Sequence, residues 1–80
     1  MNREDIIKKI TATLSEEFEV PQEVIVPEAS LYATLQLDSL TALEMLSIVY
    51  YTFKVKIPAQ DLPQLKTFND LYDYIASHAL

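Results

Sequence analysis

The stretch Leu35-Gln36-Leu37-Asp38-Ser39-Leu40 joins a long polar connection to the most apolar helical run of an 80-residue chain. The Asp38 carboxylate has the chemistry of an N-cap, because its oxygens can accept hydrogen bonds from the free N–H groups of a first helical turn. Ser39 then falls at the first helical position, where its hydroxyl can point outward. Free N–H groups and the positive end of the helix dipole favour an anion there. By itself, an Asp-Ser pair before an apolar run indicates only a helix start.

Apolar residues at helical spacing predict a first and a last helix. The first covers residues 2–18, with Asn2 as its cap and Asp5 as the weak partner of a capping box. Thr67 caps the last helix, with Asp70 in the same arrangement. The residues expected to face the core in these two helices are Ile6, Ile7, Ile10, Leu14, Phe18, Phe68, Leu71, Tyr72 and Ile75.

Residues 19–38 form a long connection, since Pro21 and Pro27 interrupt any helix. A structureless loop of about twenty residues is unusual in so small a domain. We therefore expect a short helical turn at residues 30–34. Residues 24–26 have strand propensity but no partner strand, so we reject a strand there. The expected anchors of the connection are Val24, Val26, Leu31 and Leu35.

The predicted helix Ser39–Phe53 is apolar around most of its circumference. Such a helix is either centrally buried or exposes an apolar surface to a partner. The residues assigned to the core are Met45, Leu46, Val49 and Phe53. Leu40, Leu43 and Ser47 share another face that continues from Ser39, and the residues alone leave that face open between core and partner surface. Packing of Tyr50 and Tyr51 against the last helix is equally open.

Pro58 marks a restart after this helix, and residues 59–64 form at most a short helix cut by Pro63. Leu62 and Leu65 are its expected anchors. The sequence thus predicts an all-α bundle of three main helices plus one short helix, with a long loop between the first two. We expect a single domain of residues 1–80.

Composition excludes several classes of protein. The chain has no cysteine for a disulfide and no glycine for a glycine-rich phosphate loop. Its formal charge of −6 disfavours nucleic acid. Its apolar runs are far shorter than the ~20 residues of a membrane span. Because the N-terminus opens with Arg3, Glu4 and Asp5, we expect no secretory signal and a cytoplasmic location.

The residues offer no catalytic or metal-binding constellation. A serine nucleophile needs a base within hydrogen-bond reach, and the single histidine, His78, lies in the last helix. We interpret His78 as an exposed residue near the end of that helix, where it suits the dipole. One histidine and scattered carboxylates do not make a metal site. Ser39 is better interpreted as an acceptor of chemistry that another enzyme performs.

Leu37-Asp38-Ser39-Leu40 followed by Glu44, in an acidic chain of this length, resembles the acyl carrier protein family. The predicted order of helices matches that family, and the dipeptide Ile57-Pro58 and the segment 67–75 sit where the family has comparable residues. The resemblance implies that Ser39 carries 4′-phosphopantetheine from coenzyme A, with Asp38 as the flanking N-cap. It also implies a carrier that holds acyl groups as thioesters and is not an enzyme.

The resemblance further implies the partners. These are a phosphopantetheinyl transferase and acyl-loading, ketosynthase or acyltransferase enzymes of fatty acid, polyketide or specialised lipid synthesis. The expected docking residues are Leu40, Leu43, Glu44 and Ser47. We expect a monomer with no membrane span. The alternatives are a carrier of amino acids or peptides and a helical adaptor without a prosthetic group.

Two departures from the family pattern stand out. The family usually has glycine where this chain has Gln36, so the turn before Asp38 could be built differently. The family's second helix usually carries several acids, whereas this one keeps only Glu44. Tyr50, Tyr51 and Thr52 stand where acids are expected, and Lys54 and Lys56 follow. Since electrostatics sets partner discrimination, we hypothesise that the chain serves a dedicated pathway rather than general fatty acid synthesis.

Overall fold

The computed structural model describes residues 2–78 of the chain. This part contains four α-helices and two 3₁₀ segments, joined by irregular connections. The helices are α1 (Arg3–Phe18), α2 (Leu31–Leu35), α3 (Ser39–Phe53) and α4 (Phe68–His78). The 3₁₀ segments are Gln22–Val24 and Ala59–Gln64. Across residues 2–78 there is no strand, only an isolated bridge between Ser30 and Thr67. The predicted all-α class is confirmed. Met1, Ala79 and Leu80, the rest of the expected domain, lie outside the described residues.

Helix α1 begins and packs as its sequence pattern predicts. The Asn2 side chain accepts a hydrogen bond from Asp5 N at 2.9 Å, which satisfies one free donor of the first turn. The predicted stripe faces the core, with three members fully buried and Ile7 and Phe18 partly buried. The buried members are Ile6, Ile10 and Leu14.

Helix α4 packs against α1 and is capped as expected. Asp70 N donates to Thr67 Oγ1 at 3.2 Å, and Thr67 N donates to Asp70 Oδ2 at 3.1 Å, so a reciprocal capping box closes the first turn. Arg3 of α1 forms an ion pair with Asp73 and donates to Asn69 Oδ1 at 2.6 Å. All predicted core residues of α4 are buried: Phe68, Leu71, Tyr72 and Ile75.

Backbone hydrogen bonds tie the long connection to the start of α4. Leu31 N donates to Lys66 O at 2.9 Å, and Asn69 N donates to Pro27 O at the same distance. The short helix expected at residues 30–34 is present one residue later as α2, with Ser30 as its cap. These bonds replace a strand pairing and hold an otherwise irregular segment in place.

The predicted anchors of the connection are partly wrong. Leu31 and Leu35 are buried, whereas Val24 is 43% exposed and Val26 is half-buried. Ile25 occupies the core instead. The reason is the 3₁₀ turn Gln22–Val24. Val24, its last residue, points outward, and Ile25, the next residue, points into the core.

The segment after α3 differs in one respect from the prediction. The 3₁₀ segment Ala59–Gln64 runs through Pro63 and is not cut by it. Its turns use Asp61 N and Leu65 N as donors, at 2.9 and 3.0 Å, so the missing N–H of Pro63 is not needed. Leu65 is buried and Leu62 partly buried, which confirms both as anchors.

Three helix ends take the left-handed conformation without glycine. Glu19, Gln36 and Lys54 follow α1, α2 and α3 with φ values of 55, 53 and 60°. Glycine adopts this conformation most easily, and other residues lose roughly 1–2 kcal/mol there. At Gln36 the turn forms nonetheless, and Leu37 N donates to Tyr32 O at 2.9 Å. The turn before Asp38 is therefore left-handed even though glutamine stands where the family usually has glycine.

Candidate functional site

The start of α3 is fixed by a capping box between Asp38 and Thr41. Asp38 Oδ1 accepts hydrogen bonds from Leu40 N at 3.0 Å and from Thr41 N at 2.9 Å. In return, Thr41 Oγ1 accepts from Asp38 N at 2.8 Å. The predicted cap is confirmed, but sequence reasoning missed Thr41. The signal was present, since Asp38-x-x-Thr41 has the spacing of a capping box with threonine in place of the usual glutamate.

These hydrogen bonds also set the ionisation of Asp38. The backbone N–H of Thr41 is the largest of the causes that lower the pKa of Asp38, and the Thr41 hydroxyl is the next. The carboxylate therefore stays ionised at neutral pH, with one oxygen occupied by the first turn of α3. Asp38 is a fixed cap and a poor proton acceptor for its neighbour.

Ser39 is the first residue of α3 and its side chain is exposed. The cap takes up the N–H groups of Leu40 and Thr41, and no hydrogen bond within residues 2–78 engages the Ser39 hydroxyl. The hydroxyl is thus held at the positive end of a 15-residue helix, open to an approaching enzyme. This arrangement fits a phosphodiester, because the site offers an accessible oxygen beside a helix N-terminus.

Within residues 2–78, no hydrogen bond joins this serine to a catalytic partner. The His78 ring is exposed, stacks on Tyr74 with centroids 4.1 Å apart, and places Nδ1 2.9 Å from Tyr74 O. It is thereby engaged within its own helix, α4. Across the described part of the chain, no group of three His, Cys, Asp or Glu side chains could hold a metal ion.

A stripe of exposed residues runs along α3 from the serine end. The predicted docking residues Leu40, Leu43, Glu44 and Ser47 are all exposed, and Leu40 and Leu43 are 66% and 51% exposed. Tyr51 lies one turn beyond Ser47 and continues the stripe at 74% exposure. We call Leu40, Leu43, Glu44, Ser47 and Tyr51 the exposed α3 stripe. The rings of Tyr50 and Tyr51 form a T-shaped pair with their centroids 5.7 Å apart. Both side chains are exposed, so they do not add to the core beside α4.

The opposite side of α3 forms the core contact. Met45 and Val49 are fully buried as predicted, and Leu46 and Phe53 are only partly buried. Ala42 is also buried, which sequence reasoning missed because alanine gives a weak apolar signal. The apolar character around α3 therefore serves two purposes: one side stabilises the bundle and the other faces solvent.

An open cleft of about 370 Å³ lies between α3 and the segment that follows it. Leu46 lines it and follows Ser39 by seven residues, about two turns or 10 Å along the helix axis. The cleft was not predicted, because its far wall comes from residues beyond the helix. Its lining residues are Leu46, Ser47, Tyr50, Tyr51, Lys56 and Ile57.

Comparison with known proteins identifies the family. A family model described as the phosphopantetheine attachment site matches residues 8–75. The chain is 36% identical over 75 residues to the acyl carrier protein of Thermosynechococcus vestitus, covering 94% of this chain and 93% of that protein. This chain belongs to the acyl carrier protein family. It is 37% identical over 68 residues to the acyl carrier protein of Syntrophus aciditrophicus, with 85% of each chain covered.

The fold agrees with that family. A solved structure of the acyl carrier protein from Enterococcus faecalis superposes with a TM-score of 0.81, at 23% identity, covering 99% of this chain and all of that one. The predicted bundle is confirmed.

Family membership confirms several predictions about function. This acyl carrier protein family member is a carrier and not a catalyst, and 4′-phosphopantetheine is the prosthetic group of the family. A carrier role implies partner enzymes, and it overturns the alternative of an adaptor without a prosthetic group. None of the helices in residues 2–78 has the length and hydropathy needed to cross a bilayer.

The Asp38 cap predicts a pH dependence of stability. Because the folded state lowers the pKa of Asp38, the ionised carboxylate stabilises the fold fully above its ordinary value of 3.8, and this contribution is lost as the pH falls through the lower folded value. Asp38→Asn keeps a capping oxygen but does not titrate. We predict that its Tm declines less than that of the wild type between about pH 5 and pH 2.

Circular dichroism melts over this range test the prediction. Glu44→Gln is the matched control, since it removes an exposed carboxylate of the same helix that makes no cap hydrogen bond. Asp70 also has a lowered pKa, caused first by the backbone N–H of Thr67, so part of the acid sensitivity remains in both variants. An Asp38→Asn profile parallel to that of the wild type contradicts the role of this cap.

Proposed function

We propose that the Ser39 hydroxyl is the attachment point of 4′-phosphopantetheine, and that the chain delivers acyl thioesters to enzymes of fatty acid, polyketide or specialised lipid synthesis. The observation that carries this proposal is the exposed, unengaged Ser39 hydroxyl at the first position of α3. When bound, the prosthetic group supplies the thiol that a cysteine-free chain lacks. The family match supports the group, and the capping geometry supports the residue.

The residues of this chain present the hydroxyl but do not activate it. Asp38 is ionised and committed to the first turn, so the proton of Ser39 must pass to a base on the modifying enzyme. Once the phosphodiester is formed, its charge lies at the N-terminus of α3. The helix dipole stabilises such a charge by roughly 0.3–1 kcal/mol at an exposed site. The helix thus positions the linkage and weakly favours its charge.

Tethering explains what the carrier contributes to its partners. A cargo linked to Ser39 is delivered at an effective concentration set by the reach of the tether and not by the bulk concentration. The fixed helix start limits the volume that the tether samples at its base. We further propose that residues 1–80 form a single carrier domain, supported by the hydrophobic core that α1, α2, α3 and α4 share in the described residues. We also propose that it acts as a monomer in the cytoplasm.

The first test is the site of modification. Incubation with coenzyme A and a broad-specificity phosphopantetheinyl transferase should add one phosphopantetheine to the wild-type chain, measured by intact mass. Ser39→Ala should gain none, because the accepting oxygen is gone. Ser77→Ala is the matched control, since Ser77 is an exposed serine of α4 outside the exposed α3 stripe, and it should be modified fully. Modification of Ser39→Ala, or of none of the three folded proteins, contradicts the assignment.

We also propose that the exposed α3 stripe is the docking surface for the transferase and for acyl-transfer partners. Leu40 and Leu43 are large apolar side chains held in solvent on a rigid helix close to Ser39. The apolar centre of an interface supplies most of its binding free energy, and a few residues dominate. Glu44 and Ser47 lie beside them and can contribute polar contacts at the rim.

Leu43→Ala tests this docking surface. Truncation should lower kcat/KM for the transferase roughly 5- to 30-fold, as expected for the loss of about 1–2 kcal/mol at an interface hot spot. Tm should change little because Leu43 is exposed. Val24→Ala is the control, since Val24 is an exposed apolar residue outside α3. Equal kcat/KM for Leu43→Ala and Val24→Ala would show that docking does not use this stripe.

A further inference from the structure

Charge is segregated along this chain in a way that the carrier role does not explain. Between Glu44 and Asp61 the charged residues are Lys54 and Lys56, while the whole chain has a formal charge of −6. An acidic chain therefore displays a stretch with positive charge alone. That stretch covers the C-terminal half of α3 and the segment that follows.

Both lysines are available for an external partner. Lys54 and Lys56 are exposed, and neither forms a salt bridge with another residue of the described chain. Lys54 Nζ lies 5.8 Å from the centroid of the Tyr50 ring, which places the ammonium group over an aromatic face. Tyr50 in turn contacts Tyr51 edge to face. We call Tyr50, Tyr51, Lys54 and Lys56 the basic aromatic patch.

The other end of α3 has the opposite charge. Asp38 stays ionised through its cap, and Glu44 is exposed one and a half turns into the helix. Lys54 follows Ser39 by fifteen residues, about 22 Å along the helix axis, and it follows Glu44, the nearer carboxylate, by ten residues, about 15 Å. The distance between Glu44 and Lys54 is nearly twice the ~8 Å Debye length at physiological ionic strength. A partner lying along α3 therefore experiences the two ends as separate fields of opposite sign.

We propose that the basic aromatic patch docks on a partner enzyme that presents a cluster of carboxylates and an apolar seat for the tyrosines. This cluster lies about 20 Å from the opening that receives the cargo on Ser39, as the length of α3 requires. Charge complementarity selects such a partner, because like charges facing the lysines would oppose docking. The proposal rests on the proposed carrier function and adds the chemistry of the partner surface.

The tyrosines give the patch its contact area. Exposed Tyr50 and Tyr51 are large, and two χ angles leave them little conformational entropy to lose on binding. Tyrosine is enriched among the residues that dominate the centres of interfaces, whereas lysine is depleted there. In this patch the aromatic pair forms the centre and Lys54 and Lys56 flank it, so the lysines supply orientation and encounter rate.

A charge exchange across the interface tests the proposal. The parent probe is a ketosynthase that has a cluster of lysines and arginines about 20 Å from its active-site entrance. The second probe, the glutamate form, is a variant in which glutamates replace the residues of that cluster. The affinity of the unmodified chain for each form is measured by calorimetry at low salt. We expect the wild type to bind the glutamate form about 10-fold more tightly than the parent, and Lys54→Glu/Lys56→Glu to reverse the preference.

Two controls distinguish docking through the basic aromatic patch from an effect of the net charge of the chain. Lys8→Glu/Lys9→Glu changes the net charge equally on the exposed side of α1, and it should keep the wild-type preference. High salt should reduce the preference of every variant. Because affinity is measured on the unmodified chain, the result does not depend on modification of Ser39, which intact mass reports separately.

Three outcomes would overturn the proposal. One is equal or undetectable affinity of the wild type for both ketosynthase forms. Another is the same loss of preference in the Lys8→Glu/Lys9→Glu control. The third is sedimentation of the wild type, but not of Lys54→Glu/Lys56→Glu, with phosphatidylserine vesicles, which would assign the patch to a membrane surface.

Discussion

The reciprocal hydrogen bonds between Asp38 and Thr41 are the constraint on which the site depends. They satisfy first-turn donors that would otherwise need solvent, and they fix where α3 begins. Because the helix begins at Ser39 and nowhere else, every later residue of α3 falls on a defined side. Met45 and Val49 then reach the core, while Leu40 and Leu43 remain in solvent. A start displaced by one residue would rotate these roles by about 100°.

The bundle around α3 is held together by an ion pair and by backbone hydrogen bonds, in a chain that has no cysteine for a disulfide. The ion pair of Arg3 with Asp73 joins α1 to α4, and backbone hydrogen bonds from Leu31 and Asn69 tie the long connection to the start of α4. Gln36 completes the approach by adopting a left-handed conformation that glycine would take more easily. The chain thus accepts local backbone strain three residues before Ser39, the proposed attachment point.

Helix positions were predictable from the sequence because periodicity and caps agree at each main helix. Asn2, Asp38 and Thr67 are short polar residues directly before apolar periodic runs, and all three cap as predicted. The sequence did not predict that Ile25, and not Val24, anchors the connection. Both residues are apolar, and only the 3₁₀ turn before Ile25 determines which of them faces the core. The cleft beside Leu46 was missed because the path of Lys56 and Ile57 after the end of α3, which forms its second wall, is not encoded in the helical periodicity.

The two sides of α3 explain how an almost wholly apolar helix can belong to a carrier. One side stabilises the bundle, and the other presents leucines near Ser39 and tyrosines with lysines farther along. The family match shows that the chain is a carrier, and the charge distribution along α3 distinguishes it from a uniformly acidic docking helix. The partner surface proposed above follows from that distribution and not from the family.

A crystal structure of the chain after modification by a phosphopantetheinyl transferase would show directly whether a capped helix start presents Ser39 as the attachment point. We predict electron density for a phosphodiester continuous with Ser39 Oγ, with Asp38 Oδ1 still accepting from Leu40 N and Thr41 N at about 3 Å. A phosphodiester on another side chain, or a modified Ser39 whose helix start has lost the Asp38–Thr41 capping box, would contradict it.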